Sequence, residues 1–124
     1  MTQLMMKREA ALKDYLKVVA LLPRTSGDQR QAWARAWNDG QAEAGRELME
    51  SFLPMVVAEA AVRRGLGASF ETLLAAGNRA LAAALPVACA EAKTLESTLR
   101  HAIIQALKDH WMKAAEKARE HGHF

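Results

Sequence analysis

The stretch Ser69–Leu85, SFETLLAAGNRALAAAL, carries the reading that decides the fold. Phe70, Leu73, Leu74, Gly77, Leu81 and Leu85 recur at the three-and-four spacing of one apolar helix stripe. Ser69 suits the N-cap, and Pro86 is expected to close the helix. Gly77-Asn78 interrupts this alanine-rich run, although a glycine in an exposed helix interior costs about 1 kcal/mol relative to alanine. Because Gly77 falls on the buried stripe, it predicts the close approach of a second helix, with Asn78 hydrogen-bonded to a neighbouring backbone across the contact.

The flanking sequence reads as helix on both sides. From about Lys7 to Leu22, the residues Leu12, Tyr15, Leu16 and Val19 form one stripe, which Pro23 stops. Ser26 followed by Gln29 has the capping-box pattern, with Asp28 at the positive end of the helix dipole. That helix carries Trp33 and Trp37 one turn apart, expected to pack on neighbouring helices, and ends where Gly40 can adopt a left-handed conformation. A third helix is expected from Ala42 to Arg64, burying Leu48, Phe52, Met55, Val56 and Val62, with a kink or break at Pro54. RRGLGAS, from Arg63 to Ser69, is then a turn. A loop around Cys89 leads into a last helix from about Leu95 to Arg119, with the stripe Leu95, Leu99, Ala102, Ile103, Ala106 and Leu107. No segment has strand alternation. The expected class is all-α, a compact bundle of about five helices forming a single domain over residues 1–124.

Composition narrows the function classes. The 124 residues are 51% hydrophobic and 25% charged, which suits one domain with one modest core. No apolar run approaches the roughly 20 residues that span a bilayer. The N-terminal stretch lacks the continuous apolar core of a signal peptide, so a cytoplasmic setting with no membrane association is expected. Cys89, the single cysteine, cannot form an internal disulfide and is expected as a small semi-buried loop residue. The net charge of +3 and a pI of about 9.3 permit nucleic-acid contact, but the tail from Lys108 interleaves acids with bases as a solvated helix face does.

Catalytic and metal readings find no support. Glu120-x-x-His123 has the spacing seen in di-iron bundles but no second copy, and His121 with His123 supplies two ligands where a metal site needs more. Asp109 and His110 have no nucleophile placed by any motif, and no glycine-rich phosphate loop occurs. No enzyme activity, cofactor or metal is expected.

The order of signals from about Leu12 to Leu107 resembles the bacterial RNA polymerase sigma factor family, in the segment joining its conserved regions one and two. Tyr15-Leu16, Pro23, Thr25, Gly40, Leu48-Met49-Glu50, Leu53, Val56-Val57, Gly65-Leu66, Phe70, Leu73-Leu74, Gly77-Asn78 and Leu81 fall in register with the family pattern, almost without gaps. Gly77-Asn78 is its best-marked point. Residues 108–124 would be an extended C-terminal helix and tail.

The resemblance implies a region-two-like helical domain that docks on the clamp helices of the polymerase largest subunit and opens the minus-ten promoter element. The family's docking helix, D-L-I-Q-E-G-N, corresponds to Thr72 through Asn78, giving Thr72, Leu73, Ala75, Ala76 and Asn78 as partner-binding candidates. Leu74, Gly77 and Leu81 are assigned to the core, with Thr72, Ala75, Ala76 and part of Leu73 facing outward. Two of the three polar docking positions are alanine, which leaves apolar packing but little directional hydrogen bonding. The DNA-melting motif aligns with Leu95–Leu107, where Thr98 and His101-Ala102 stand in place of the aromatics on which flipped bases stack. Arg63, Arg64, Arg100, His101, Gln105 and Lys108 are the candidate DNA contacts, so weak, salt-sensitive DNA binding is expected. Two functions follow: a minimal sigma-like transcription factor, or an interaction module or regulator that keeps the fold and lacks promoter opening.

Overall fold

A computed structural model describes residues 3–65 and 67–120. Among the described residues five α-helices run in the order α1 (Gln3–Ala20), α2 (Gly27–Asn38), α3 (Ala42–Ala61), α4 (Phe70–Cys89) and α5 (Leu95–Glu120), with a short 3₁₀ turn at Ala92–Thr94 before α5. No strand occurs among the described residues, and the all-α class holds. His121, His123 and Leu66 lie outside the described residues, and with them the Glu120–His123 spacing and part of the Gly65-Leu66 pair.

The capping residues explain where α2 and α4 begin. Ser26 Oγ accepts the backbone N–H of Gln29 at 3.1 Å, and Ser69 Oγ accepts that of Thr72 at 3.2 Å. Each satisfies one of the N–H groups a helix start leaves without a partner. Gly40 has φ 94°, the left-handed conformation that lets the chain leave α2 and enter α3.

The core forms where α3, α4 and α5 meet, with α2 packed mainly on α3. Leu48, Phe52 and Val56 from α3, Leu73, Leu81 and Leu85 from α4, and Leu95, Leu99, Ile103 and Leu107 from α5 are buried in a single cluster. Trp33 and Trp37 are half-buried and pack against it, as aromatic residues one turn apart should. The Trp37 indole lies on Gly45 of α3 so closely that a methyl group there would come within 3.1 Å of the ring. Gly77 plays the same part between α3, α4 and α5, since a methyl group on it would sit 2.7 Å from Val56 Cγ1. This is the helix-to-helix approach that Gly77 predicts.

Several boundaries differ from the expectation. The third helix ends at Ala61, which leaves Val62 73% exposed instead of buried, and Met55 and Phe70 are only half-buried. α3 continues through Pro54 without a break. Pro86 does not close α4, which extends to Cys89; the thiol is 1% exposed and belongs to the core, not to a loop. Both prolines are on solvent-exposed positions, where the carbonyl left without its N–H partner can be served by water. Asn38 of α2 fixes the end of α4 by donating Nδ2 to the Cys89 carbonyl at 2.7 Å.

By length and composition α4 could cross a membrane, with a mean hydropathy of 1.3, contrary to the reading that no apolar run was long enough. Its apolar side chains are instead those that fill the centre of the bundle.

Candidate functional site

The proposed docking residues of α4 do not share a face. Leu73 is 0% and Ala76 8% exposed, so both belong to the core and neither can meet a partner. The reason is geometric: α4 is covered by α3 on one side and α5 on another, so its buried arc is wider than a single stripe and takes in Leu73, Leu74, Ala76 and Gly77 together. Thr72 and Ala75 are exposed, and the Thr72 hydroxyl lies 2.6 Å from Ser69 Oγ within the helix cap.

Asn78 is half-buried on the edge of α4 and faces α1. Its Nδ2 donates to the Tyr15 hydroxyl at 3.1 Å, a side-chain partner where a backbone one was expected. Asn78 Oδ1 is buried without a hydrogen-bond partner among the described residues. Both residues line a shallow groove of about 360 Å³ between α1 and α4, together with Ala11, Leu12, Glu71, Leu74 and Ala75.

The candidate DNA contacts fall mainly on α5 and the end of α3, and two arginines are tied to carboxylates. Arg63 Nη1 pairs with Glu59 Oε2 at 2.9 Å and also donates to the Glu59 carbonyl at 2.8 Å. Arg100 reaches Glu59 Oε1 at 3.9 Å and Glu96 Oε1 at 3.6 Å. Glu96 pairs in turn with Arg30 of α2 at 3.4 Å. Arg30, Glu96, Arg100, Glu59 and Arg63 thus form an alternating chain of charges across α2, α5 and α3. Partly exposed pairs of this kind contribute little each, about 0.2–1 kcal/mol, but they neutralise much of the cationic field that would attract phosphate.

Sequence reasoning named neither Glu59 nor Glu96 in this chain of charges, and it missed Arg30. Its guanidinium lies 4.7 Å from the Phe52 ring centre, and its Nε donates to Thr25 Oγ1 at 3.0 Å. The Glu59–Arg63 and Glu96–Arg100 pairs were open to detection, since each has the four-residue helical spacing that favours an ion pair. The links from Glu96 to Arg30 and from Glu59 to Arg100 join different helices, and no spacing reveals them.

The remaining candidates divide. His101 and Lys108 are exposed, and Lys108 has no ion-pair partner among the described residues. Gln105 Nε2 donates to Asp109 Oδ1 at 3.1 Å along the flank of α5. Arg64 is separate from this face, its guanidinium 6.0 Å from the Phe70 ring centre at the start of α4. Lys93, Glu96, Ser97, Arg100, His101 and Ile104 line a shallow open depression, and Arg63, Ile104, Lys108 and Trp111 line a neighbouring, partly enclosed groove. No group of three or more His, Cys, Asp or Glu residues suited to a metal occurs among the described residues.

No family model matches the chain, and no curated protein is significantly similar to it.

Proposed function

We propose that the chain is a sigma-factor-like transcription protein of the cytoplasm, which binds RNA polymerase core through the exposed edge of α4 and touches DNA weakly through α5. The observation that carries the reading is the outward face of α5, the helix that the resemblance gives to DNA. There Arg100, His101 and Lys108 stand at the surface, with Arg63 supplied beside them from the turn that follows α3. Cations on one helix face can hold a phosphate backbone, and each phosphate contact releases counterions and makes binding salt-dependent. Because Glu59 and Glu96 already engage two of the arginines, the contact is weak and is lost at physiological salt. No catalytic step is assigned to the chain.

The polymerase contact rests on Thr72, Ala75 and the accessible part of Asn78, fewer residues than the resemblance suggests. The burial of Leu73 and Ala76 favours the second reading, a helical interaction module without promoter opening. Retention of core polymerase on the immobilised protein separates the two. Retention that Ala75→Glu abolishes, with helicity unchanged, supports polymerase docking. Failure of the wild-type protein to retain the core favours the second reading. Gel-shift titration of a minus-ten promoter fragment at low and at physiological salt tests the DNA contact; tight, sequence-specific binding at physiological salt would refute its weakness.

A further inference from the structure

Trp111 was not among the candidate site residues, yet it occupies the cationic face of α5. Arg100, Ile104, Lys108 and Trp111 follow one another at helical spacings that confine them to an arc of about 80°. Arg63, Ile104, Lys108 and Trp111 line one partly enclosed groove of about 300 Å³. Lys108 is exposed, Trp111 and Ile104 are half-exposed, and the Glu59 carboxylate holds Arg63 in place at the wall. An apolar ring bordered by two cations offers a flat surface for a nucleobase and positive charge for the phosphates on either side of it.

We propose that Trp111 is a stacking platform for one base of a single-stranded nucleic acid, with Lys108 and Arg63 contacting the adjoining phosphates. This inference rests on the nucleic-acid reading of α5. A protein partner would need acidic side chains placed to meet both cations, whereas a nucleic-acid strand carries a phosphate beside every base. A strand of bases needs only a π-face and nearby charge, and double-stranded DNA hides its base faces within the stack. The groove therefore prefers single strands to duplex.

The test compares the full chain with Trp111→Phe, Trp111→Leu and Lys108→Gln, using dT16, rU16 and a 16-base-pair duplex at low salt. Wild-type protein is expected to bind a single strand more tightly than the duplex, and the ratio of dT16 to rU16 affinity identifies the sugar that the face favours. Trp111→Phe retains the stack and stays near wild type. Trp111→Leu, which keeps the apolar packing, weakens single-strand binding roughly 5- to 150-fold, as loss of one base–aromatic stack does. Quenching of tryptophan emission by the oligonucleotide persists in the wild type and disappears in Trp111→Phe, although Trp33 and Trp37 remain.

If Trp111→Leu binds like the wild type while Lys108→Gln weakens binding, the platform is refuted and the phosphate contact stands. If polyglutamate displaces the oligonucleotide at equal charge concentration, the face is a site for acidic protein and the platform is again refuted. If the wild type binds neither single strand, the platform and the nucleic-acid reading of α5 fall together.

Discussion

Replacing Gly77 with alanine sets two well-defined effects against each other. Alanine stabilises a helix interior by about 1 kcal/mol relative to glycine. The new methyl group, however, would sit 2.7 Å from Val56 Cγ1, with Leu107 Cδ2 at 3.6 Å and Ile103 Cγ2 at 3.8 Å behind it. Val56 is fully buried and β-branched, so it cannot rotate away without losing its rotamer or moving α3. Overpacking of this kind costs about 1–3 kcal/mol. The net expectation is a loss of about 0–2 kcal/mol, centred near 1 kcal/mol, which lowers the melting midpoint by about 4 °C for a domain of this size. The double variant Gly77→Ala/Val56→Ala removes the obstructing methyl groups and should be more stable than the sum of the single effects, with a coupling of about 1 kcal/mol. Urea unfolding followed by far-ultraviolet circular dichroism measures all three. Stabilisation by Gly77→Ala of about 0.5 kcal/mol or more, or strict additivity with Val56→Ala, would refute the close approach of α3 and α4 at this point.

Three further outcomes are expected. Tyr15→Phe removes the acceptor of Asn78 Nδ2, and since Asn78 Oδ1 is already without a partner, the loss should cost about 1–3 kcal/mol in thermal unfolding, whereas Tyr15→Phe/Asn78→Leu should recover most of it. Glu59→Gln frees Arg63 of its carboxylate and leaves Arg100 with Glu96 alone, so the variant should elute from heparin at higher salt than the wild type, and unchanged elution would show that the Glu59 ion pairs do not limit anion binding. Burial raises the Cys89 thiol above its ordinary range, so the folded protein should resist alkylation and react only as it unfolds. The accompanying stability is complete below the thiol's unfolded range and falls as pH rises through the folded value, which urea midpoints across the alkaline range would reveal.

The sequence and the structure agree where one local rule settles the matter. Of the α5 stripe, Leu95, Leu99, Ile103 and Leu107 are buried and Ala102 and Ala106 half-buried, because four-residue steps on one helix need no knowledge of its neighbours. Ser26 and Ser69 cap their helices through bonds that span only three residues. Pro86 was misread because a proline ends a helix only when nothing beyond it favours continuation. Here Ala88 and Cys89 are buried past it, and Asn38 binds the last carbonyl. The docking face of α4 failed for a related reason: how many sides of a helix are covered depends on the whole bundle, and a central helix buries residues that a surface helix would expose. On α5 the cationic positions were legible, and so was the Glu96–Arg100 spacing, but the reach of Arg100 to Glu59 on α3 was not.

Pro86 has a further consequence for α4, the helix whose composition would suit a bilayer. A proline has no N–H, so the carbonyl of Ala82, one turn earlier, cannot receive the bond that residue 86 would otherwise give. Both residues are on the solvent side of the bundle, where water can serve that oxygen at little cost. In hydrocarbon no water is at hand, and an unsatisfied backbone carbonyl costs several kcal/mol. The backbone of α4 thus penalises the environment that its hydropathy favours. A chain that failed to close α3 and α5 around this helix would gain less by entering a lipid phase than its side chains alone suggest.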